Sequence, residues 1–298
     1  MPAIQSPAKV LVTGASGYVA SWIVKVLLER GYSVRGTVRS ASKGESLKNT
    51  FKDHGENFSY VLVEDMTIDG AYNDAVKGVD AIAHTASPVV LNARDPYDLI
   101  NPAVSGTVNI LKSAKQYGPT VKRVVITSSC ATIFQPKKGN PPIYTEEDWN
   151  EVAVKEVETK GVDADQPQKY RASKVLAERS AWKWAEENKD VVVFDVTTIL
   201  PSFVLGPILT EVASPSQLNA SPQRFYDAVK TEKPADALTS FVASVVDVRD
   251  VALAHVRALE VEEAGGQRFI VTKTSFSWQL IYDTLQQDRK SYISYFVE

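Results

Sequence analysis

Short apolar runs alternate with segments of helical period from the beginning of the chain. The run KVLVT (9–13) has the pattern of a buried strand, and YVASWIVKVLLER (18–30) has that of a helix ended by Gly31. The same patterns predict strands at 33–39, 58–64, 80–86, 122–129 and 191–200, and a long helix at 169–188. Strands separated by helix-length segments form right-handed crossovers. We therefore expect an α/β fold with a Rossmann-type, doubly wound parallel sheet.

The chain is predicted to divide into two parts. Residues 1–206, with contributions from about 242–258, form the predicted nucleotide-binding Rossmann domain, and 207–298 form a smaller C-terminal substrate-binding lobe. Prolines, serines and glutamines cluster at 214–223, near the start of that lobe. The stretch 137–168 is rich in proline, glycine and charge, so we expect a surface excursion there.

Composition excludes several classes of partner. The 298 residues are 44% hydrophobic and 23% charged, with a formal net charge of -3, which is typical of a globular protein. This balance gives no reason to expect nucleic acid or an anionic membrane as a partner. The sequence has neither a signal-peptide pattern nor an apolar run long enough to cross a bilayer, so we expect a cytoplasmic protein.

Disulfides and a metal site are not expected. Cys130 is the only cysteine, which rules out an intramolecular disulfide and a cysteine-rich metal site. His54, His84 and His255 lie far apart, without the carboxylate spacing of a metal site, so they are interpreted as solvated or packed side chains. Redox chemistry would therefore depend on a cofactor.

A glycine-rich turn follows the first predicted strand and opens the first helix. The segment TGASGYVA (13–20) places Gly14 where a tight turn is needed, and Gly17 where a pyrophosphate can approach the backbone. The helix N-terminus then offers amide donors and positive partial charge to the phosphates. The alternative is a plain strand-to-helix turn that uses glycine for its backbone freedom.

The end of the second strand indicates which dinucleotide binds. An acidic residue there accepts a hydrogen bond from the ribose 2′-hydroxyl of NAD, whereas arginine accommodates the 2′-phosphate of NADP. This chain has Arg39 and Lys43 in that region and no carboxylate until Glu45, which favours NADP(H). The alternative is that both cations are ordinary surface charges. Asp65, after the third strand, is a candidate for the adenine amino group or a turn former.

Two segments of the chain carry a tyrosine four residues before a lysine. Tyr170 and Lys174 share a helix face, and the cation would lower the pKa of the phenol, which suits proton donation to a carbonyl. The second pair, Tyr226 and Lys230, is interpreted as an exposed helix pair. Only the first pair follows the hydroxyls of 127–129 (TSS), which either polarise a substrate carbonyl or cap backbone groups.

With TGASGYVA, TSS and YRASK in this order, the chain resembles the extended short-chain dehydrogenase/reductase family. The segments EDMT (64–67), HTASP (84–88) and LPSFVLGP (200–207) are similar to the dihydroflavonol-reductase branch, and most of all to fungal NADPH-dependent ketone and aldehyde reductases of the methylglyoxal type. The resemblance implies an NADPH-dependent carbonyl reductase. In it Ser129 would polarise the carbonyl, Tyr170 would be the acid and Lys174 its partner.

The resemblance also implies the rest of the site. Pro201 and Ser202 would lie against the nicotinamide. The implied cofactor-binding residues are Thr13, Gly14, Ser16, Gly17, Tyr18, Val19, Arg39, Lys43, Asp65, Met66, Thr85, Ala86, Ser87, Thr127, Tyr170, Lys174, Pro201, Ser202 and Val204. The implied substrate-binding residues are Val89, Ser129, Cys130 and Phe203. Cys130 is interpreted as a small packing residue rather than a thiol nucleophile, since no base is evident nearby.

One part of the sequence departs from the family pattern. Members of the family continue for several further elements beyond a segment like 276–278, whereas this chain ends at Glu298 after an unfamiliar stretch. Part of the usual substrate lobe is therefore expected to be absent or replaced, and the substrate cleft to be more open.

Two other functions remain open at this point, besides reduction of a carbonyl in a small or flavonoid-like molecule. A nucleotide-sugar epimerase or dehydratase uses the same tyrosine and lysine, but the absence of an acidic ribose reader argues against it. A non-catalytic NADP-sensing protein typically lacks the pair that this chain has at Tyr170 and Lys174. We expect a small-molecule carbonyl substrate and a monomer or homodimer.

Overall fold

The computed structural model describes residues 3–88, 93–139, 142–212, 214–231, 233–240 and 242–287. The strands are β1 (Lys9–Thr13), β2 (Ser33–Val38), β3 (Phe58–Leu62), β4 (Ala81–His84), β5 (Arg123–Thr127), β6 (Asp195–Pro201), β7 (Phe203–Leu205), β8 (Val242–Asp247), β9 (Arg268–Val271) and β10 (Thr274–Ser277). The helices are α1 (Tyr18–Glu29), α2 (Ala41–Thr50), α3 (Tyr97–Tyr117), α4 (Glu151–Lys160), α5 (Gln166–Asn188), α6 (Ala220–Lys230), α7 (Ala235–Ser240), α8 (Val248–Glu260) and α9 (Trp278–Gln287).

The main sheet has the strand order β3-β2-β1-β4-β5-β6-β9, and every neighbouring pair in it is parallel. The order reverses between β1 and β4, the point at which sheets of this kind bind ligands beyond the carboxyl ends of their strands. The predicted Rossmann-type parallel sheet is confirmed.

Helices cover both faces of this sheet. Alternate residues of β1 point to opposite faces, so Val10 and Val12 join one core cluster while Leu11 joins another. The first cluster includes apolar residues of α1 and α8, and the second includes residues of α3 and of the C-terminal half of α5. Because β1 is buried on both faces, its sequence is a continuous apolar run, as expected for a central parallel strand.

The stretch 137–168, predicted as a surface excursion, contains a helix that the sequence pattern did not predict. Residues 151–160 form α4, which begins where Asn150 Oδ1 accepts a hydrogen bond from the Ala153 amide (3.0 Å). The apolar face of α4 is buried against residues of α3 and α5; this packed group comprises Ile100, Ala153, Val157, Ala164 and Ala172. Proline and glycine residues before and after α4 dominate the composition of this stretch, so the short amphipathic helix is not evident from composition.

The strand predicted at 191–200 begins later than expected, at Asp195, because Val191 and Val193 remain exposed. Four strands follow, and three of them form a separate small sheet with the order β10-β8-β7. An aromatic cluster lies beside it, in which Phe203 stacks on Phe276 with ring centroids 5.7 Å apart. The fourth, β9, belongs to the C-terminal part of the chain but completes the main sheet beside β6.

No helix within the described ranges is long and apolar enough to cross a membrane.

Candidate active site

The glycine-rich turn is fixed by contacts with β2. Gly14 has a φ of +63°, and a side chain there would also meet Ala86 within 3.2 Å, so both the conformation and the space require glycine. The Gly14 amide donates to Thr37 Oγ1 (3.0 Å), and the Ala15 amide donates to the Thr37 carbonyl (2.9 Å). The Gly17 amide closes the turn on the Gly14 carbonyl (2.8 Å). These hydrogen bonds fix the conformation of the turn, and Gly14 and Gly17 leave its backbone uncovered by side chains.

The start of α1 fits an anionic group. Gly17 is its N-cap, no side chain among the described residues caps it, and its first turn has no acidic residue. The early amides and the positive end of the helix dipole are therefore available to a pyrophosphate. Ser16 and Val19 are partly exposed beside them, whereas the Tyr18 hydroxyl is turned away and donates to the Gly206 carbonyl (2.8 Å). The turn has what a dinucleotide cofactor requires.

Thr13 connects this turn to the loop after β4. Its side chain is 0% exposed, and Oγ1 accepts hydrogen bonds from the Thr85 and Ala86 amides (3.0 Å each). The same oxygen lies 2.9 Å from His84 Nδ1. Burial lowers the pKa of His84 to about 3, so the ring is neutral and accepts the hydroxyl proton at Nδ1. Thr13 therefore supports the loop that carries the predicted cofactor residues Thr85, Ala86 and Ser87.

Arg39 and Lys43 lie where the sequence predicts a phosphate reader. Arg39 is exposed directly after β2, and Lys43 is exposed in the first turn of α2. Asp65 forms a local turn, since its carboxylate accepts from Thr67 Oγ1 (2.7 Å) and the Thr67 amide (2.8 Å). These hydrogen bonds lower the pKa of Asp65, and the nearby Arg39 lowers it further. The contact of Asp65 with adenine stays a prediction.

The predicted catalytic group meets at the carboxyl ends of the parallel strands. Tyr170 and Lys174 project from α5, and Ser129 follows β5. The expected lowering of the Tyr170 pKa by Lys174 is wrong: burial raises this pKa, and the contribution that opposes burial comes from the Ser129 hydroxyl. Burial lowers the pKa of Lys174 to about 8, and the Lys174 ammonium donates to Ser87 Oγ (3.2 Å). Ser129, which lies 41 residues before Tyr170 in the sequence, is thus brought to the Tyr170 side chain, and Lys174 lies one helical turn further along the same face of α5.

The hydroxyls of the TSS run have different partners. Thr127 Oγ1 pairs with His255 Nε2 (2.7 Å), and Ser128 Oγ donates to the Glu178 carboxylate (2.5 Å). Ser129 Oγ accepts from the Ala131 amide (3.1 Å) and is the hydroxyl that meets Tyr170. Ser129 is therefore the member of the run that can reach a carbonyl held at Tyr170.

Residues at the end of β6 and in β7 complete the predicted nicotinamide side. Pro201 and Val204 are buried, and the Ser202 amide donates to the Val271 carbonyl (3.0 Å). The Ser202 hydroxyl oxygen is buried without a hydrogen-bond partner among the described residues. An unsatisfied buried hydroxyl is costly unless a bound group supplies its partner, so Ser202 fits the predicted contact. Met66, another predicted cofactor residue, packs against Gly106.

The predicted substrate residues have different outcomes. Val89 lies outside the described residues. Cys130 is buried, its thiol donates to the Leu200 carbonyl (3.1 Å), and burial raises its pKa to about 12, so it is not a nucleophile. Phe203 is partly exposed on the aromatic cluster of the small sheet. Within the described ranges, no group of three or more His, Cys, Asp or Glu side chains could hold a metal ion.

Lys169 was missed by the sequence interpretation, although it directly precedes Tyr170. It is 2% exposed, and its ammonium donates to the carbonyls of Arg94 and Val162 (2.8 Å each). It also lies 3.4 Å from the Ala93 carbonyl, which Gln166 binds as well (2.8 Å). These bonds fix the first turn of α5 against the segment before α3. The sequence contains no sign of this role, because the Lys169 ammonium binds backbone carbonyls, which every residue has.

A parallel sheet with this order, a glycine turn and a Tyr–Lys pair at the carboxyl ends of its strands define a dinucleotide-binding protein of the Rossmann class. The sequence pattern of the NAD dependent epimerase/dehydratase family matches residues 10–271, and the chain belongs to that family. The predicted resemblance to extended short-chain dehydrogenases/reductases of the dihydroflavonol-reductase branch is confirmed.

Relatives and solved structures extend the likeness over nearly the whole chain. The chain is 39% identical over 294 residues to the putative NADPH-dependent methylglyoxal reductase GRP2 of Candida albicans, covering 96% of this chain and 84% of that protein. It is 41% identical over 284 residues to the ketoreductase azaE of Aspergillus niger, covering 93% and 81%. Yeast methylglyoxal/isovaleraldehyde reductase Gre2, solved in complex with NADPH, superposes with a TM-score of 0.82 at 34% identity, covering 94% and 82%.

Proposed function

We propose that this chain is an NADPH-dependent carbonyl reductase that transfers hydride to a ketone or aldehyde, with Tyr170 as the proton donor. The observation that carries the proposal is the interaction of Ser129 with Tyr170 at the carboxyl end of β5, with Lys174 on the same face of α5. The proposal is also supported by relatives that match 93–96% of the chain and are named as NADPH-dependent methylglyoxal reductases, one of them putative, and as a ketoreductase.

The cofactor would be held by residues from three parts of the fold. The amides of the glycine turn and of the first turn of α1 would bind the pyrophosphate, and Arg39 and Lys43 would bind the 2′-phosphate. Ser202, with its unsatisfied hydroxyl, would contact the nicotinamide end, where Lys174 would bond the ribose. Bound NADPH supplies the hydride that the carbonyl carbon receives.

The protein's own residues then manage the charge that develops on the carbonyl oxygen. Tyr170 keeps its proton near neutral pH because burial raises its pKa, and the phenol gives that proton to the oxygen. The Ser129 hydroxyl donates a second hydrogen bond to the same oxygen. The Lys174 ammonium stabilises the phenolate that remains. Carbon gains hydride and oxygen gains a proton, so the product is an alcohol.

The proposal includes a cytoplasmic enzyme that acts as a monomer or homodimer. A single cysteine that is buried and unable to form an internal disulfide suits a reducing compartment. Cell fractionation and light scattering of the purified chain test the two points separately: recovery with membranes, or a larger assembly, would contradict them.

The decisive measurement is NADPH oxidation, followed at its near-ultraviolet absorption band, across a panel of aldehydes, ketones and diketones. We expect turnover on several members, and slower turnover when NADH replaces NADPH at equal concentration. A nucleotide-sugar substrate serves as the comparison, since an epimerase would convert it without net oxidation of the cofactor. Binding of NADPH without turnover on any carbonyl would instead support a sensing protein.

A further inference from the structure

A buried carboxylate lies one helical turn beyond Lys174. Glu178 on α5 is 2% exposed, and its oxygens accept hydrogen bonds from Ser128 Oγ (2.5 Å), Thr198 Oγ1 (2.9 Å) and Arg268 Nε (2.7 Å). Trp182 Nε1 donates to it as well (3.3 Å). A charge at this depth is tolerated only when it is paired and hydrogen-bonded, and Glu178 meets both conditions.

The arginine of this pair is itself fixed. The Arg268 side chain is 10% exposed on β9, and its guanidinium also donates to the carbonyls of Glu146 and Asp148, the latter at 3.0 Å. It lies over the Trp149 ring, 3.8 Å from the centroid. The guanidinium therefore has one orientation available, and it presents Nε to Glu178.

The position of Glu178 connects it to both halves of the catalytic group. Tyr170, Lys174 and Glu178 follow one another at four-residue spacing, so they share one face of α5. On the strand side, Glu178 binds Ser128, the residue before Ser129. The carboxylate thus joins the helix that carries the acid to the strand end that carries the polarising serine.

We propose that Glu178, held by Arg268, is a positioning residue of the reductase: it fixes α5 against the end of β5 and the middle of β6 and keeps the Lys174 side chain cationic. This inference rests on the proposed function for its consequence in turnover, but the contacts that carry it are independent of any substrate.

The effect of Glu178 on the charge of Lys174 follows from the groups that surround the Lys174 ammonium. Burial lowers the pKa of Lys174 to about 8, and the Glu178 carboxylate acts against that shift. The other groups described at the ammonium are the Ser87 hydroxyl and His84, which burial keeps neutral, and Tyr170 lies one turn before Lys174 on the same helix. Among the groups described around it, Glu178 is the one that supplies negative charge. Without that charge, Lys174 would lose its proton at a lower pH.

The test measures the pKa of Lys174 directly in the full-length chain, with and without NADPH. Competitive acetylation at a series of pH values, read by mass spectrometry of the peptide that holds Lys174, reports the midpoint of its deprotonation and requires no turnover. We expect Glu178→Gln to lower that midpoint by about one pH unit. Arg268→Met should raise it, because the carboxylate then acts without its counter-charge. The alkaline limb of kcat/KM should move in the same directions.

Three further results decide the outcome. The double variant Glu178→Gln with Arg268→Met leaves neither charge buried alone, so it can be used if a single variant fails to fold. It should lower the midpoint of Lys174 deprotonation, as Glu178→Gln does. Glu186→Gln, an exposed carboxylate on the same helix, should leave it unchanged. An unchanged midpoint in Glu178→Gln and in the double variant would overturn the proposal, as would shifts of the same sign in both single variants. Absence of turnover in the parent chain would count against the proposed function alone.

Discussion

The two Tyr–Lys pairs of this chain have the same spacing on a helix and different surroundings. Tyr170 and Lys174 lie on α5 at the carboxyl ends of the main sheet, where burial shifts the pKa of both groups. Tyr226 and Lys230 lie on α6 beside the small sheet, where Lys230 is exposed and its ammonium lies 5.9 Å from the Tyr226 ring centroid. The spacing brings phenol and ammonium together in both places, but a proton donor also needs partners.

Those partners come from other parts of the fold. The first pair meets Ser129 from the end of β5 and Ser87 from the loop after β4, and Glu178 is buried one turn further on. The second pair's helix has a local hydrogen bond from Gln223 to Asp227 (2.7 Å), and its Ala228 carbonyl accepts one from the Tyr282 hydroxyl of α9; neither bond involves the phenol or the ammonium of the pair. A tyrosine four residues before a lysine therefore forms a candidate active site only at the carboxyl ends of the strands, where the hydroxyls of Ser129 and Ser87 lie.

The largest expected effect comes from removing one phenol. Tyr170→Phe should lower kcat by about 100- to 10,000-fold, the usual contribution of a positioned general acid, while NADPH affinity stays nearly unchanged. Steady-state NADPH oxidation and fluorescence titration of the cofactor measure the two quantities. Tyr226→Phe is the matched control from the second pair and should keep full activity. If Tyr226→Phe lost activity instead, the assignment of the catalytic pair would be reversed.

Removing the predicted phosphate reader should have the next largest effect. Arg39→Ala removes a guanidinium that can bind phosphate oxygens bidentately, and a charge-assisted hydrogen bond contributes about 1.5–3 kcal/mol. We expect NADPH to bind roughly 10- to 100-fold more weakly, with a much smaller change for NADH. Fluorescence titration of both cofactors at fixed ionic strength checks this. Equal losses for the two cofactors would mean that Arg39 supports the fold or the shared pyrophosphate.

The pH dependence of turnover gives a third test of the first pair. Since the pKa of Lys174 is lowered to about 8, its ammonium is present below that pH and is lost as the pH rises through it. One unit above the pKa only about a tenth of the ammonium remains, so kcat/KM for reduction should fall about tenfold per unit there. Assays from pH 6 to 10 in buffers of constant ionic strength measure this limb. A flat profile to pH 10 would exclude a required Lys174 cation in that range.

Local patterns were sufficient to predict much of the fold and site. The turn at Gly14 and Gly17, and the pair Tyr170 and Lys174, follow from short-range spacing, because a strand-to-helix turn and a helix face are set within a few residues. The parallel sheet followed from the alternation of strands with helices. The contacts of the glycine turn with Thr37 could not be found in this way, because β2 approaches the turn only in the folded chain.

The supporting network was not predictable for the same reason. Glu178 binds Arg268 across 90 residues of sequence, and Thr13 binds His84 across 71. In the sequence, Glu178 is one charged residue among others on an amphipathic helix. A signal did exist in its position four residues after Lys174 on the same face, but only burial distinguishes it from a solvated carboxylate such as Glu186.

A smaller effect is expected at the small sheet. The Phe203 ring is partly exposed and is predicted to contact the substrate, and an aromatic pair contributes about 0.5–1.5 kcal/mol beyond its buried area. Phe203→Ala should therefore raise KM for aromatic ketones about 2- to 10-fold and leave NADPH affinity unchanged, which would separate the substrate contact from the cofactor site. Leu280→Ala, exposed on α9, is the control. A loss of NADPH affinity with unchanged KM would contradict the substrate assignment of Phe203.

The smallest effect is expected at Lys43. As with the two Tyr–Lys pairs, the surroundings of Arg39 and Lys43 decide how much each cation contributes to binding. Arg39 extends a strand of the sheet, whereas Lys43 lies on the exposed first turn of α2, and a flexible ammonium in solvent contributes only about 0.2–1 kcal/mol to an ion pair. Lys43→Ala should weaken NADPH binding about 1.5- to 5-fold. Because exposed charges are screened, added salt should reduce this difference sooner than that of Arg39→Ala. Titrations at two ionic strengths, with Lys48→Ala on the same helix as the control, measure it; a loss at Lys43 as large and as salt-resistant as that at Arg39 would contradict the weaker, solvent-screened contact expected of Lys43.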